Sequence, residues 1–597
     1  MKRHNINTAI FAALLLCACA CTDFLDTRID VFDTMDRLES RSSTLSSFAY
    51  AFYTPMQNGF NVIDGNLFAS VSDEAEQTAP TSDASTFNRG LISADLNPVS
   101  FLYNNCYEGI RAAHFFLDYA KDGENFLALN RDTSTVYNPD GSIYSTDQPR
   151  AYKRDVINLG WLRAEAAIAE AYYYGELIKM YGGVPLLSAD GSPARQASYD
   201  EVVEHIVGLI DANADKVNLD WRVALDETPQ NAIADVTNWN FRDNVGRFDK
   251  TSALAIKARV LLYAASPRNN PDGDRDKWER AAAAANDVIQ VRKAIFEKGF
   301  GFGEGARSHP SYKMPANRDY GNYFIKNNAT SDVESIFLIR QAAGSAPEAA
   351  NYPNATRGGN SGICPTQNLV DAYEYIGPQT VDPYVNRDPR FAATIVYNGS
   401  TWNGSVIDES PGAPYDQKRA GATKTGYYLR KFLAPNLNLI EGGSTDHIWP
   451  LYRYAEVLLN YAEAMNEAYG PDADPKSYGM TAREALTEVR NSASTSLPAV
   501  TASSKDDFRR AVKQERRVEL AFEDHRYWDL VRWLDAESVL NRSIKGVSVR
   551  KNNLGGFQYT YPTVSYRTFY ERNYYLPFTR KEIANSAGAI TQNPDYN

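Results

Sequence analysis

The chain has 597 residues, of which 43% are hydrophobic and 23% are charged, and its formal net charge at pH 7 is -12. This length and composition are typical of a globular protein with a large buried core. The acidic balance argues against a dedicated nucleic-acid-binding protein, because such a protein needs a basic surface to displace the counterions of the phosphate backbone.

The N-terminus has the pattern of an export signal, Met1–Ala20. Its apolar run, Ala9–Leu16, is too short to span a bilayer. Cysteines follow at positions 17, 19 and 21. A cysteine directly after a signal sequence indicates lipidation. The leucine three positions before Cys19 favours that residue by local composition, and Cys21 stays open as the alternative.

The first predicted helix is Leu38–Tyr53, and a segment rich in Asn and Gly follows it. This segment contains three closely spaced carboxylates, Asp73, Glu74 and Glu76. They could form a cation site or a pair of catalytic acids, but carboxylates at such spacing are more often solvated. We therefore expect an exposed turn here.

Amphipathic runs with a helical spacing of apolar residues recur towards both ends of the chain. Small and bulky residues alternate between them at spacings of about 35 residues, as in irregular tetratricopeptide repeats, so we expect stacked helix pairs. The predicted helices are Tyr103–Tyr119, Trp161–Tyr181, Ser198–Asn213, Phe248–Ala265, Trp278–Val291, Leu451–Glu467 and Ala482–Arg490.

Between the helical parts lies a long segment rich in Gly, Asn, Pro and Tyr, from Gly299 to Pro450. Two short runs in it, Ser335–Ile339 and Thr394–Tyr397, have the composition of strands. We expect irregular loops, short strands and helix fragments in this insertion.

The segment Glu515–Trp533, ERRVELAFEDHRYWDLVRW, is predicted to be helical, because its apolar residues have helical spacing and it contains no Gly or Pro. Its charges are unusual for so apolar a segment. Because aromatic residues occur among them, we expect some arginines to lie against rings or to pair with carboxylates in a partly buried network.

The sequence contains no recognisable catalytic motif. It lacks a G-x-S-x-G elbow, a phosphate-binding loop and a G-x-G-x-x-G placed after a strand. Its histidines are scattered without a second ligand at metal-binding spacing, so no metal and no cofactor are expected. A glycosidase needs two acids across a cleft, and the residue order does not single out such a pair. Cys106 and Cys364 could pair, but two buried free thiols are favoured.

Two C-terminal motifs resemble the signatures of the SusD/RagB family of surface nutrient-binding lipoproteins. They are RYAEVLLNYAEA, which begins at Arg453, and the ERRVELAFEDHRYWDLVRW segment; YGGVPLL, NRDPRF and LPFTRKEI fit the family as well. The resemblance runs from Cys21 to the C-terminus. It implies a mostly α, SusD-like fold in one domain, 21–597, after the signal, 1–20. The helical scaffold would cover about 38–298 and 451–540, and the loop-rich insertion with short strands about 299–450.

The resemblance also implies a function. Family members bind glycans at the outer membrane, facing the cell exterior, and do not catalyse a reaction. The motif CTDFLD resembles the start of mature members and therefore favours Cys21 over Cys19 as the lipid anchor. The implied partners are a SusC-like TonB-dependent transporter and an oligosaccharide, without a cofactor. The alternatives are a peptide ligand, as in the RagB branch, and a glycoside-cleaving enzyme.

Candidate ligand residues follow from sugar chemistry and from the family. Apolar sugar faces stack on flat aromatic rings, while amides, arginines and carboxylates bind the hydroxyls. In the family, the glycan site is built from loops after the first helix and in the central insertion. Packing under a loop is the competing role for each aromatic candidate. The candidates are Phe87, Arg89, Tyr312, Tyr320, Tyr352 and Trp402.

Overall fold

The computed structural model describes residues 49–79, 81–122, 136–137, 139, 143–144, 147–188, 193–221, 244–297, 312–330, 332, 334–356 and 358–596. The predicted signal, both lipidation candidates and most of the predicted first helix lie outside these ranges. The described end of that helix, Tyr50–Phe52, is a short 3-10 helix.

Most of the regular structure is helical, and the seven helices predicted between Tyr103 and Ala265, at Trp278–Val291 and between Leu451 and Arg490 are present. The predicted fold class, mostly α with a loop-rich insertion, is therefore confirmed. The α-helices are α1 (Asp83–Asn88), α2 (Phe101–Tyr119), α3 (Asp147–Tyr181), α4 (Tyr199–Asn213), α5 (Lys250–Ala265), α6 (Arg275–Glu297), α7 (Tyr320–Tyr323), α8 (Ala346–Asn351), α9 (Gln367–Val370), α10 (Pro389–Thr394), α11 (Tyr454–Tyr469), α12 (Ala482–Ala493), α13 (Lys505–Glu519), α14 (Arg526–Arg532), α15 (Ala536–Leu540) and α16 (Arg580–Asn585).

The long helices pack on one another in sequence. Helix α2 packs on α3, α3 on α4, and α5 on α6. Helix α6 packs on α11, which also contacts α12 and α13, so the two helical parts form one stack. At Gly109 of α2 the neighbouring helix comes very close, since a Cβ there would lie 2.1 Å from Cε2 of Tyr173 in α3.

The strands are short and pair antiparallel in twos. The longest pair, β6 with β12, places Ile339 opposite Trp449 and so joins the start of the insertion to its end. Strand β6 begins with the first run predicted from composition and extends beyond it to Gly344, and β8 lies within the second run. The strands are β1 (Ala75–Gln77), β2 (Val136–Tyr137), β3 (Ile143–Tyr144), β4 (Pro185–Leu187), β5 (Pro193–Gln196), β6 (Ser335–Gly344), β7 (Ile363–Pro365), β8 (Ile395–Val396), β9 (Thr401–Trp402), β10 (Ser405–Val406), β11 (Tyr428–Leu429), β12 (Thr445–Arg453), β13 (Ser543–Lys545), β14 (Ser548–Lys551), β15 (Phe557–Thr560) and β16 (Thr563–Tyr566).

The buried apolar residues form two main clusters. The larger lies among the helices, and the smaller lies within the insertion, where Trp449 and Phe432 are among its rings. Val518 of α13 belongs to the smaller cluster, so the insertion is packed against the scaffold. The division of the chain at the predicted domain boundaries stays a prediction.

The segment Glu515–Trp533 is not one continuous helix, which corrects the sequence prediction. Helix α13 ends at Glu519 and α14 begins at Arg526. Between them Phe522 and Asp524 both have φ of 64°, in the left-handed region that a right-handed helix cannot contain. Phe522 is buried in the insertion cluster, and this burial is available only because the helix stops.

Two further expectations concern cysteines and the membrane. Cys106 and Cys364 are buried free thiols, as the sequence favoured. In the described ranges, no helix combines the length and the apolar composition that a membrane crossing requires.

Candidate functional site

Two of the predicted ligand rings, Phe87 and Tyr320, are buried. Phe87 is 6% exposed, and its ring centroid lies 5.4 Å from that of Phe68 and 6.1 Å from that of Tyr527. The Tyr320 hydroxyl donates to the backbone oxygen of Glu519 at 2.6 Å. In this conformation the surrounding residues leave neither ring a face open to a ligand.

The other candidates are spread over different places. Tyr352 and Trp402 are buried edge to face in the insertion, with centroids 5.2 Å apart. Tyr312 is half-buried beside Phe296, and Arg89 is exposed. The six residues therefore do not converge on one surface. A ligand role for the four buried rings stays a prediction, and it would require their packing neighbours to move.

The acidic segment at the start of β1, with Asp73, Glu74 and Glu76, is buried, so the expectation of a solvated turn is wrong. Asp73 pairs with Arg517 and with Arg526, each at 2.7 Å. Burial alone would raise the pKa of Asp73, but these two guanidinium groups hold it well below its usual value. Burial, and next to it the charge of Asp73, raises the pKa of Glu74 to about 8.

Two acids with separated pKa values resemble a catalytic acid–base pair. Here, however, neither acid faces a cleft. Asp73 is 4% exposed and Glu74 is 1% exposed. The N–H of Phe522 donates to the Glu74 carboxyl at 3.4 Å, from the turn that follows α13. The two acids tie β1 to the C-terminal signature and have a structural role.

The charges of the C-terminal signature form a buried network, as predicted. Glu519 accepts hydrogen bonds from Arg390 and Arg453, both at 2.7 Å, and it also pairs with Arg318. Burial alone would raise the pKa of Glu519, and the three guanidinium groups together lower it instead. Because Arg318 and Arg390 belong to the insertion, Glu519 joins the insertion to the helical stack.

A crevice of about 70 Å³ lies beside the turn that follows α13. Asp524, His525 and Trp528 are among its lining residues, and burial raises the pKa of Asp524 to about 7. A water molecule occupies about 30 Å³ in the liquid, so the crevice has room for only a few. A sugar ring is larger than this, and the crevice is therefore not a glycan site.

An exposed row of side chains follows β16 towards the C-terminus. Tyr566, Thr568 and Tyr570 lie on the outer face, while Arg567 and Phe569 between them are buried. Tyr566 is 78% exposed and Tyr570 is 49% exposed. An extended chain rises about 3.3 Å per residue, so the two tyrosines lie about 13 Å apart along it. We call Tyr566, Thr568 and Tyr570 the tyrosine strip.

Buried contacts fix the tyrosine strip from below. Arg567 donates to the carboxylate of Glu76 at 3.1 Å and to a backbone oxygen of β1 at 2.6 Å. The N–H of Thr568 donates to the backbone oxygen of Asn88 at 2.8 Å. The side-chain amide of Asn541 donates to the backbone oxygen of Phe569 and accepts a hydrogen bond from its N–H. The outward rings take no part in these contacts.

Tyr570 lies against Gly90, which has φ of 64°. A Cβ at Gly90 would lie 2.7 Å from Cε2 of Tyr570, so glycine is needed for this contact. The Arg572 guanidinium lies 5.0 Å from the Tyr570 ring centroid and donates to the Gly90 carbonyl at 3.3 Å. Arg89, the residue before Gly90, is exposed. One predicted ligand residue is thus found at the tyrosine strip.

The tyrosine strip has the chemistry of a sugar-binding surface. Exposed ring faces can stack on sugar C–H groups, and a guanidinium can bind hydroxyls. Within the described residues, no group of three or more His, Cys, Asp or Glu side chains is arranged to hold a metal ion. Sequence reasoning missed Tyr566 and Tyr570. Their signal is the period-two alternation in SYRTFY, which is typical of an extended segment with one exposed face.

Comparison with known proteins agrees with this fold. The SusD family model matches residues 317–596. The SusD-like protein P2 of Formosa agariphila is 29% identical over 440 residues, which cover 72% of this chain and 74% of that protein.

Solved structures from Bacteroides fragilis extend the agreement to nearly the whole chain. A SusD-like protein superposes with a TM-score of 0.69 at 21% identity, covering 95% of this chain and 99% of that one. A SusD-like carbohydrate-binding protein superposes with a TM-score of 0.66 at 22% identity, covering 92% and 98%. The family model therefore assigns residues 317–596 to the SusD family, and the superpositions show a SusD-like fold over nearly the whole chain.

Proposed function

We propose that this protein binds an oligosaccharide on the tyrosine strip and does not cleave it. The observation that carries the proposal is the outward exposure of Tyr566 and Tyr570 on a segment that buried contacts hold in place. Two rings about 13 Å apart offer stacking positions for separate sugar residues of one chain. The carbohydrate-binding relative from Bacteroides fragilis supports the same ligand class.

Binding without cleavage is supported by the positions of the acids. Hydrolysis of a glycoside needs two carboxyl groups that flank the bond to be broken. Asp73 and Glu74 are buried. Glu76, beneath the tyrosine strip, is engaged by Arg567 and by Ser565. None of these three acids faces a ligand on the strip.

We further propose that Cys21 carries a lipid that anchors the protein to the outer membrane, facing outward. There it would deliver its ligand to a SusC-like TonB-dependent transporter. The match of residues 317–596 to the SusD family model and the CTDFLD motif support both steps. Cys21→Ala should release the protein from the membrane fraction, whereas Cys19→Ala should not, and a large β-barrel protein should co-purify in mild detergent. Retained lipid labelling of Cys21→Ala would contradict the anchor, and recovery of the protein alone in several detergents would contradict the partner.

The ligand surface is tested by substitution of its rings. A glycan array identifies the best ligand, and titration calorimetry then gives its affinity. Tyr566→Ala and Tyr570→Ala should each lower this affinity about tenfold, because a stacked ring contributes about 1–1.5 kcal/mol. Their melting temperatures should stay close to that of the unsubstituted protein. Tyr50→Ala, which truncates another exposed tyrosine, is the matched control and should keep full affinity.

Three results would change the assignment. Full affinity in both strip variants would place the ligand elsewhere. Release of reducing ends from the bound oligosaccharide would revive the glycosidase alternative. Binding of peptides and of no glycan would favour the RagB-like alternative.

A further inference from the structure

We infer that the oligosaccharide of the tyrosine strip is anionic and carries carboxylate or sulfate groups. This inference rests on the proposed function and adds the chemical class of its ligand. Its starting point is a contrast of charge. The chain is acidic, with a net charge of -12, yet Arg89, Arg542 and Lys545 surround the tyrosine strip with exposed positive charge.

Two of these cations lie on or next to the strand that pairs with β16, the strand that ends at Tyr566. Ser543 of β13 is the pairing partner of Tyr566, and Arg542 and Lys545 flank Ser543 in the chain. Ile544 is buried, and a register shift follows it, so that Lys545 pairs with Thr563, three residues before Tyr566 in β16, and is exposed. Arg542 precedes this strand and is also exposed.

The third cation lies at the other end of the tyrosine strip. Arg89 stands between Asn88, whose backbone oxygen accepts from Thr568, and Gly90, on which Tyr570 lies. Both chain neighbours of Arg89 therefore touch the strip segment. The positive charges extend along the strip from one tyrosine to the other.

These three side chains are available to a ligand. None of them has a hydrogen bond or an ion pair with another residue in the part of the chain that the structure describes. The carboxylate beneath the strip, Glu76, is already engaged by Arg567. Glu571, which follows Tyr570 in the chain, is exposed, and the three cations outnumber it.

An anionic sugar residue would bind the cations and the tyrosine rings of this surface at the same time. A guanidinium binds a carboxylate or a sulfate through two parallel N–H donors, and an ammonium binds it as a point charge. The tyrosine rings would stack on the sugar C–H faces at the same time. A neutral glycan would use the rings alone and would leave the local positive potential without a counter-charge.

The test uses an array of matched oligosaccharides, in which each neutral backbone is paired with its uronate form and its sulfate ester. The unsubstituted protein should bind an anionic member at least about tenfold more tightly than its neutral match at low salt, and the preference should shrink as salt is added. The combined change Arg89→Gln, Arg542→Gln and Lys545→Gln should abolish the preference. The uronate and sulfate arms identify which anion is bound.

A charge-matched control separates the site from the net charge. The combined change Lys216→Gln, Lys418→Gln and Arg419→Gln removes as much positive charge from exposed positions elsewhere and should keep the preference. Loss of the preference in this control would overturn the inference.

The inference and the proposed function fail in different ways. Equal affinity for neutral and anionic members, with loss of both on Tyr566→Ala, would overturn the inference and leave the proposed function in place. Failure of every glycan to bind, or full affinity in both tyrosine variants, would overturn the proposed function as well.

Discussion

Glu74 is a buried carboxyl group that is protonated near neutral pH only while the protein is folded. Burial and the charge of Asp73 raise its pKa to about 8, whereas a glutamate in an unfolded chain has a pKa of about 4.3. Between these two values the folded state keeps a proton that the unfolded state has lost. The contribution of Glu74 to stability is therefore fully present below about pH 4.3, and it declines as the pH rises towards 8.

The Glu74→Gln variant should therefore become more stable relative to the unsubstituted protein as the pH rises. Glutamine does not titrate, so the difference in the free energy of unfolding should move in its favour by up to about 3 kcal/mol between pH 5 and pH 8. Urea denaturation at a series of pH values measures this difference. Glu571→Gln, at an exposed position, is the control and should show little change. A difference that does not vary with pH would mean that folded Glu74 is ionised near neutrality.

The ligand rings show how far residue-level reasoning reaches. Phe87, Tyr320 and Tyr352 are predicted as ligand rings because they are aromatic and lie in segments that correspond to the ligand loops of the family. Composition does not tell which side of a loop faces protein, and the insertion has a hydrophobic core of its own that takes up Tyr320 and Tyr352. Arg89, a charged side chain in the same kind of segment, is exposed as expected.

At the scale of helices, replacing either of two glycines by alanine is expected to have opposite effects on stability. In α2, a Cβ at Gly109 would meet the ring of Tyr173 at 2.1 Å, so Gly109→Ala should lower the free energy of unfolding by about 1–3 kcal/mol through overpacking. In α4, a Cβ at Gly208 would have nothing within 4 Å. Gly208→Ala should raise that free energy by about 0.5–1 kcal/mol, because alanine loses less conformational freedom in a helix.

The same denaturation assay measures both variants, and each serves as the control of the other. Stabilisation by Gly109→Ala would mean that α2 and α3 can separate without cost. Destabilisation by Gly208→Ala would mean that the exposed face of α4 has a contact outside the described residues.

The helices also mark what a periodic pattern can and cannot predict. The predicted start of the helix at Ser198 is confirmed, because Ser198 caps α4 with a capping box in which Glu201 takes part. The break between α13 and α14 was missed, because apolar spacing continues through it. A tertiary contact ends the helix, because Phe522 packs into the core of the insertion. Its φ is positive, and the local sequence pattern does not predict this.

For the whole molecule, Glu519 is the junction between helical stack and insertion. Glu519→Gln keeps the shape of the side chain but removes the charge that compensates Arg318, Arg390 and Arg453. It should lower the free energy of unfolding by about 3–5 kcal/mol, because buried guanidinium groups then lack a counter-charge. Denaturant unfolding followed by tryptophan fluorescence measures the loss. As the control, Glu537→Gln at an exposed position should change the free energy of unfolding by less than about 0.5 kcal/mol. A similarly small effect of Glu519→Gln would show that the network is dispensable for stability.

The helical stack and the position of the insertion could be predicted from sequence, whereas the contacts between residues far apart in the chain could not. Helical periodicity and family motifs gave the stack and the position of the insertion. The burial of Asp73, Glu74 and Glu76 depends on arginines more than 440 residues later, and local sequence carries no trace of such partners. The tyrosine strip was missed for a related reason, since its alternation is short and its role depends on what lies beneath it.

The attachment of the tyrosine strip has a consequence for the order in which this protein can be made. Glu76 and Arg567 are 491 residues apart, and Asn97 bonds to a backbone oxygen 480 residues later. A growing chain emerges from its N-terminus, so β1 can pair with β7 well before Arg567 has been made, and its contact with Arg567 closes only 491 residues after Glu76. Pairings over such distances are slow to form. A chain cut short before Tyr566 would lack the tyrosine strip and also Arg567, the partner of Glu76, so the proposed ligand surface and its support beneath β1 are completed in the same late step of synthesis.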